Sequence, residues 1–411
     1  MKRSINVIIV FLLFMQCQMP LKEDQFLIEN LLKQNPAFQE ILADLDKYEV
    51  QVIYTKIDRD DQNRPHFSSF YFNTDSTRYF YPASTVKMPI ALLALEKLNE
   101  LGIEGLDMNS TFFTDSAYTG QTPVLEDTTA QNGLPSVAQY IKKIFVVSDN
   151  DAYNRLYEFL GQEYIHQKLQ DKGFTNSRII HRLSIPLSIE ENQLTNPVRF
   201  YNGDSPIYSQ PLVKSRANYQ PKEQILKGKA HINTQDSLVE APFDFTYKNF
   251  MPLTEMQRML RDVIFPSESP MFNLGPQDYA LVYQYMSQLP RETTYPTYSL
   301  PEYYDAYCKY LMFGEDRDIP SPIRIFNKIG QAYGYLIDNA YIIDLENNIE
   351  FFLSAVIHVN ENETYNDGGY EYKTIGYPFM KELGQTLYNY ELTRTRSTIA
   401  DLTRFKLDYD K

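Results

Sequence analysis

The chain has 411 residues but no tryptophan, only two cysteines and five histidines, and fewer basic than acidic residues. The histidines (His66, His166, His181, His231, His358) show no His-x-x-x-His or similar ligand spacing. No metal site is therefore read from them, and no cofactor is expected. Lys and Arg total 39 against 53 Asp and Glu, a net charge of -14. That balance argues against nucleic acid and anionic membrane surfaces as partners. The apolar run over residues 5–15 is about half of what a membrane span needs. No internal repeat is evident, and no Gly-x-Ser-x-Gly string marks a nucleophile elbow.

What the chain does contain is ordinary for a folded protein: 43% hydrophobic and 22% charged residues, enough for a sizeable core and two subdomains. Tyrosine (33) and phenylalanine (25) supply the aromatic packing. Residues 1–17 read as an export signal, with Lys2 and Arg3 ahead of the apolar run and Cys17 at its end. Two fates of that segment stay open. Cys17 is lipidated and tethers the protein to a membrane, or the segment is simply cleaved or retained; Phe14-Met15-Gln16 departs from the usual Leu-small-small approach. Either way the expected location is the periplasm or cell envelope. With Cys17 lipidated, Cys308 has no intrachain disulfide partner and reads as a small buried hydrophobe.

Periodicity predicts a helix over 25–48, then strands over 49–57 and 67–72 joined by a polar turn. From Ser84 the period becomes helical (Met88, Leu92, Leu95, Leu98) and ends at Gly102. Further helices are expected over 135–172, 253–264 and 378–391, and strands over 323–329, 340–344 and 351–359. Residues 184–250 are polar, rich in Pro and Asn and weakly periodic, too long for a simple loop and suited to bordering a site, and 290–310 is dense in Tyr and Pro. The fold class expected is α+β: an antiparallel sheet flanked by helices plus a helical subdomain. The domain spans 25–395, with its α/β part over 25–83 and 322–395 and its helical part over 84–321.

Three short strings carry the chemistry. Ser84-Thr85-Val86-Lys87 is the chain's only Ser-x-x-Lys tetrapeptide, a pattern expected roughly once or twice by chance at this length. At i and i+3 of one helix, Ser84 and Lys87 share a face, so Lys87 can serve as base to an otherwise poor hydroxyl nucleophile. Ser148-Asp149-Asn150 offers a proton shuttle (Ser148) and an amide anchor (Asn150). Lys328-Ile329-Gly330 lies in strand-like sequence, where Lys328 adds positive potential and Gly330 lets substrate backbone approach. Each string alone has a bland reading: an N-capping serine with a solvated lysine, another N-cap, an exposed strand lysine beside a bulge glycine.

Taken in order, the strings resemble those of the active-site serine penicillin-recognising enzymes, the class A β-lactamases and related penicillin-binding proteins. Residues 328–343 (KIGQAYGYLIDNAYII) resemble that family's third-motif strand, turn and following strand. The resemblance makes 202–250 and 290–320 long insertions. The resemblance implies a β-lactamase/transpeptidase-like fold and an acyl-enzyme on Ser84. It also implies an oxyanion hole from the backbone N–H groups of Ser84 and Gln331, with substrate held by Asn150, Lys328, Gly330 and Gln331. The implied substrate is a small β-lactam, with a cell-wall D,D-peptide, another amide or ester, or a non-turnover penicillin sensor as alternatives. Two departures stand out. Ile329 occupies a place where the family carries a hydroxyl for the substrate carboxylate. The Glu-x-x-Leu-Asn water-positioning loop is represented by Glu191-Asn192-Gln193-Leu194-Thr195, which makes Glu191 the candidate deacylation base and Glu190 its alternative.

Overall fold

The computed structural model describes residues 26–219, 221 and 223–409. The expected export segment, residues 1–17 with Cys17, lies outside them. A five-stranded antiparallel sheet forms the centre, in the order Ile323–Ala332, Tyr335–Asp344, Ile349–His358, Gln51–Arg59, Pro65–Phe72. The two terminal parts of the chain thus meet by pairing Gln51–Lys56 with Phe351–Val356. Strands Tyr335–Asp344 and Ile349–His358 are buried along their whole length because both faces of the sheet are covered. One face packs under helices Leu27–Gln34 and Tyr377–Thr393; the other supports helix Leu253–Ile264 and the helical middle of the chain.

The helix beginning at Lys87 runs through the centre of that middle part. After Lys87, residues 88–95 of helix Lys87–Leu101 are all apolar and all buried, Leu92, Leu93 and Leu95 among them, as a stretch enclosed on all sides must be, while Asn99 and Glu100 in its last turn are exposed. Each such leucine contributes roughly 1.5–3 kcal/mol of burial. The helix stops at Gly102, whose left-handed φ of 57° suits a residue without Cβ. Helices Val137–Val146 and Asn150–Leu160 pack beside it.

Several expected elements differ in detail. The helix anticipated over 25–48 is broken at Asn35-Pro36 and again at Asp44, giving Leu27–Gln34, Gln39–Ala43 and Leu45–Tyr48 with a 3-10 turn after Pro36. Proline removes the backbone donor that would continue the first helix. The segment 84–321 is not wholly helical. Thr111–Thr114, Val198–Asn202 and Ser205–Gln210 form a small antiparallel sheet, held by Phe112 stacked on Phe200 at 4.7 Å. The 202–250 insertion continues as short paired strands, one of which, Ala230–Ile232, runs parallel to Thr364–Tyr365. A helix not anticipated, Pro276–Ser287, follows Gly275; its first-turn proline and Asp278 cap were legible start signals.

Candidate active site

Ser84 stands on a 3-10 turn, Ala83–Val86, that feeds directly into the central helix. Ala83 enters this turn at φ 48°, and Ser148 and Ser184 adopt φ 58° and 56°. Left-handed backbone at non-glycine residues costs of order 1–3 kcal/mol each, and here it recurs around a single cluster of side chains.

At the centre of that cluster is the Lys87 ammonium, completely buried. Its Nζ lies 2.8 Å from Ser84 Oγ, 2.7 Å from Asn150 Oδ1 and 3.2 Å from Ser148 Oγ, and it also donates to the Ser148 carbonyl. No carboxylate is among these partners; Asp149, the nearest by sequence, instead accepts from the Ala152 N–H at 2.7 Å as the cap of its own helix. Burial, reinforced by the neighbouring positive charge of Lys328, holds the Lys87 pKa well below the usual lysine range. Its neutral amine would offer two N–H groups, matched by the Ser148 carbonyl and Asn150 Oδ1, and one lone pair for the Ser84 hydroxyl proton.

The second lysine completes the ring. Lys328 Nζ donates to Ser148 Oγ at 2.8 Å and to the Ile329 carbonyl at 3.2 Å, and burial lowers its pKa to about 8. Ser148 therefore sits between two lysine nitrogens, the geometry of a proton relay. Three strings separated by 64 and 180 residues in sequence close on one hydroxyl (Ser84 to Ser148, Ser148 to Lys328).

Strand alternation sorts the third string. Phe326, Lys328 and Gly330 face the helical part; Ile325, Asn327, Ile329 and Gln331 face the C-terminal helix. Ile329 is thus packed into the apolar cluster behind the sheet, on the side opposite Lys328. Gln331 likewise turns its side chain away, accepting hydrogen bonds from Tyr310 and Tyr377 hydroxyls at 3.1 and 2.6 Å. Because alternate residues repeat the direction of their N–H and C=O groups, the Gln331 N–H lies along the edge that carries the Ile329 carbonyl, on the unpaired side of an edge strand. Gly330 has a use the sequence did not reveal: an added Cβ would stand 2.6 Å from the Pro82 carbonyl oxygen, beside the turn that carries Ser84.

Asp338 lies inside strand Tyr335–Asp344 and is fully buried. Its carboxylate accepts from Asn327 Nδ2 at 2.7 Å and from the N–H groups of Tyr310 and Leu311 at 2.9 and 3.0 Å. Asn327 in turn accepts from the buried Lys309 at 2.6 Å. This network clamps residues 308–311 behind the strand bearing Lys328.

Glu191 is not brought to the cluster. It is the third residue of the short helix Ile189–Gln193, and its carboxylate accepts from the Ser188 N–H at 2.7 Å while Ser188 Oγ accepts from the Glu191 N–H. That reciprocal cap lowers its pKa. Glu190 is exposed on the same turn. The side chain that does reach the cluster from this loop is Ser184, whose Oγ accepts from Asn150 Nδ2 at 2.8 Å. Nothing in the local sequence singles out Ser184; only its partner does.

Against this geometry stand the comparisons with known proteins. The family model described as the Beta-lactamase enzyme family matches residues 36–227, which include the Ser84 and Ser148 strings. The matched part of this chain belongs to the β-lactamase enzyme family. The chain is similar to a solved β-lactamase from Xanthomonas campestris pv. campestris at 13% identity, over 88% of this chain and 98% of that one, with a TM-score of 0.48. It is also similar to a β-lactamase from Sphaerobacter thermophilus (12% identity, 91% and 99% covered, TM-score 0.47) and to PBP-A (14%, 88% and 95%, 0.47). No curated protein matches it. Residues 36–227 thus carry the match to the Beta-lactamase enzyme family, within a chain of mixed α+β architecture.

Proposed function

We propose that Ser84 attacks the carbonyl of a β-lactam or of a related cell-wall amide and carries the acyl group as an ester. One observation bears the reading: a hydroxyl 2.8 Å from a completely buried lysine amine that lacks a carboxylate partner. In this scheme the Ser84 proton passes to neutral Lys87 as Oγ bonds to the carbonyl carbon. The oxyanion is met by the backbone N–H groups of Ser84 and Gln331. The amide C–N bond then breaks while Ser148 delivers a proton to the leaving nitrogen and takes one in turn from the Lys87 ammonium 3.2 Å away. The proton removed from Ser84 thus ends on the leaving group, and the adjacent ammonium of Lys328 makes Ser148 a better donor. Asn150 holds Lys87 through Oδ1 and Ser184 through Nδ2, fixing the direction of the amine. β-Lactam hydrolysis is the activity proposed, at an exported, envelope-located enzyme.

A fluorescent penicillin is expected to label Ser84, and Ser84→Ala to abolish labelling. Failure of every β-lactam, ester and fluorophosphonate to modify Ser84 would overturn the proposal.

A second reading, slow release of the acyl group or its transfer to another acceptor as in a D,D-peptidase, is favoured by one feature. The hydrogen-bond partners around Lys87 include no carboxylate to activate water, and the place beside Asn150 is held by the Ser184 hydroxyl. Intact mass after a β-lactam pulse separates the two, since turnover regenerates the free enzyme and a stalled ester persists.

A further inference from the structure

A cavity of about 520 Å³ lies beside the Ser84 cluster. It reaches the cluster through Ser184, which lines it and bonds to Asn150, and through Tyr81, three residues before the nucleophile. Its outer wall, including Phe243, Tyr247 and Lys248, comes from the 202–250 insertion. In a chain with 53 acidic residues, no Asp or Glu among the described residues lines this cavity.

Among the described residues, two of its lining side chains are cations, and they are not equivalent. The Arg182 guanidinium is committed to Glu158 at 3.0 Å and to the carbonyls of Glu191 and Leu194 at 3.1 and 2.7 Å. Lys248 lies over the rings of Phe243 and Tyr333 at 5.8 and 5.7 Å, and among the described residues no carboxylate pairs with it. His181 adds a polar group without a partner. Its Nδ1 lies 2.6 Å from the Arg182 carbonyl, an interaction that places the ring proton there and leaves Nε2, buried and unbonded, as an acceptor. Ile185, Ile189 and Tyr247 supply exposed apolar surface at the rim.

We propose that this cavity is a subsite for an extended acyl donor bearing a terminal carboxylate, which pairs with Lys248 while the apolar stem lies on Tyr247 and Ile185. The inference rests on the acyl-enzyme reading of Ser84 and adds the chemical class of the acyl group. The absence of acidic residues and the uncommitted lysine select an anion, and the aromatic wall selects an apolar stem.

The test uses thiobenzyl esters of glycine carrying succinyl, glutaryl or adipyl groups, each beside its terminal carboxamide counterpart, with Ser84 acylation followed by intact mass. Wild type is expected to acylate faster with at least one carboxylate probe than with its amide, by about tenfold, the scale of one charged hydrogen bond. Lys248→Gln should abolish that preference and Lys248→Arg should keep most of it. Equal rates for every pair, or a preference unchanged in Lys248→Gln, would overturn the subsite. Should these esters fail to label Ser84 while a fluorescent penicillin succeeds, the proposed acyl class is wrong. Should penicillin and all other acylating reagents fail as well, the acyl-enzyme reading itself falls.

Discussion

Gly330→Ala probes the contact that brings the third string against the nucleophile. The added methyl would meet the Pro82 carbonyl oxygen at 2.6 Å, Thr85 Cγ2 at 3.1 Å and Ala83 Cβ at 3.3 Å, all in the turn that holds Ser84. To relax the first contact to 3.0–3.4 Å, the turn and strand must separate by roughly 0.4–0.8 Å. The obstacle is backbone on both sides, so no side-chain rotation relieves it. Overpacking of this kind costs about 1–3 kcal/mol, which lowers the melting temperature by a few degrees in a chain of this size. The chemical consequence should be larger than the thermal one. Displacing a nucleophile by up to about 1 Å costs on the order of 10²-fold in rate, and here Ser84 would move relative to the Gln331 N–H. The assay is the acylation rate of Ser84 by a fluorescent penicillin, with melting followed by circular dichroism. An alanine variant that acylates at the wild-type rate and melts unchanged would refute the claim that this glycine exists to admit the Ser84 turn.

Other predictions follow from the charges. Lys328→Met removes the neighbouring cation that helps depress the Lys87 pKa, so the rising limb of the acylation–pH profile should move to higher pH; an unmoved limb would deny that coupling. Lys309 and Lys328 each have a folded pKa near 8, below the ordinary 10.5. The unfolded chain therefore binds more protons between those values, and their destabilising effect fades as pH rises from about 8 toward 10.5. Lys309→Met should flatten that part of the melting-temperature profile, measured by scanning fluorimetry against wild type. Glu191→Gln is expected to leave the lifetime of the acyl-enzyme unchanged, because that carboxylate is held in a helix cap. Ser184→Asp, which places a carboxylate beside Asn150, should shorten the lifetime about tenfold or more, as a positioned general base does.

The sequence by itself determined the sheet strands, the central helix and the pairing of Ser84 with Lys87, because these depend on local periodicity and on i, i+3 spacing. Leu253–Ile264, read from Met256, Met259, Leu260 and Val263, forms with the bounds its pattern implied. Helix Pro276–Ser287 went unread because its buried and exposed positions do not segregate by polarity, with four tyrosine or glutamine side chains among its partly covered residues. The direction of a side chain at a strand edge was decided only in three dimensions. Ile329 stands where the resemblance implies a hydroxyl, and sheet alternation turns its side chain into the core behind Lys328. Glu191 matched a base by spacing, but the capping box of its own five-residue helix claims the carboxylate, and Ser184 takes the place next to Asn150. Spacing along a chain fixes which groups can share a helix face; which groups converge across a fold depends on how separate elements pack, and Asn150, Ser184 and Gly330 acquired their roles only there.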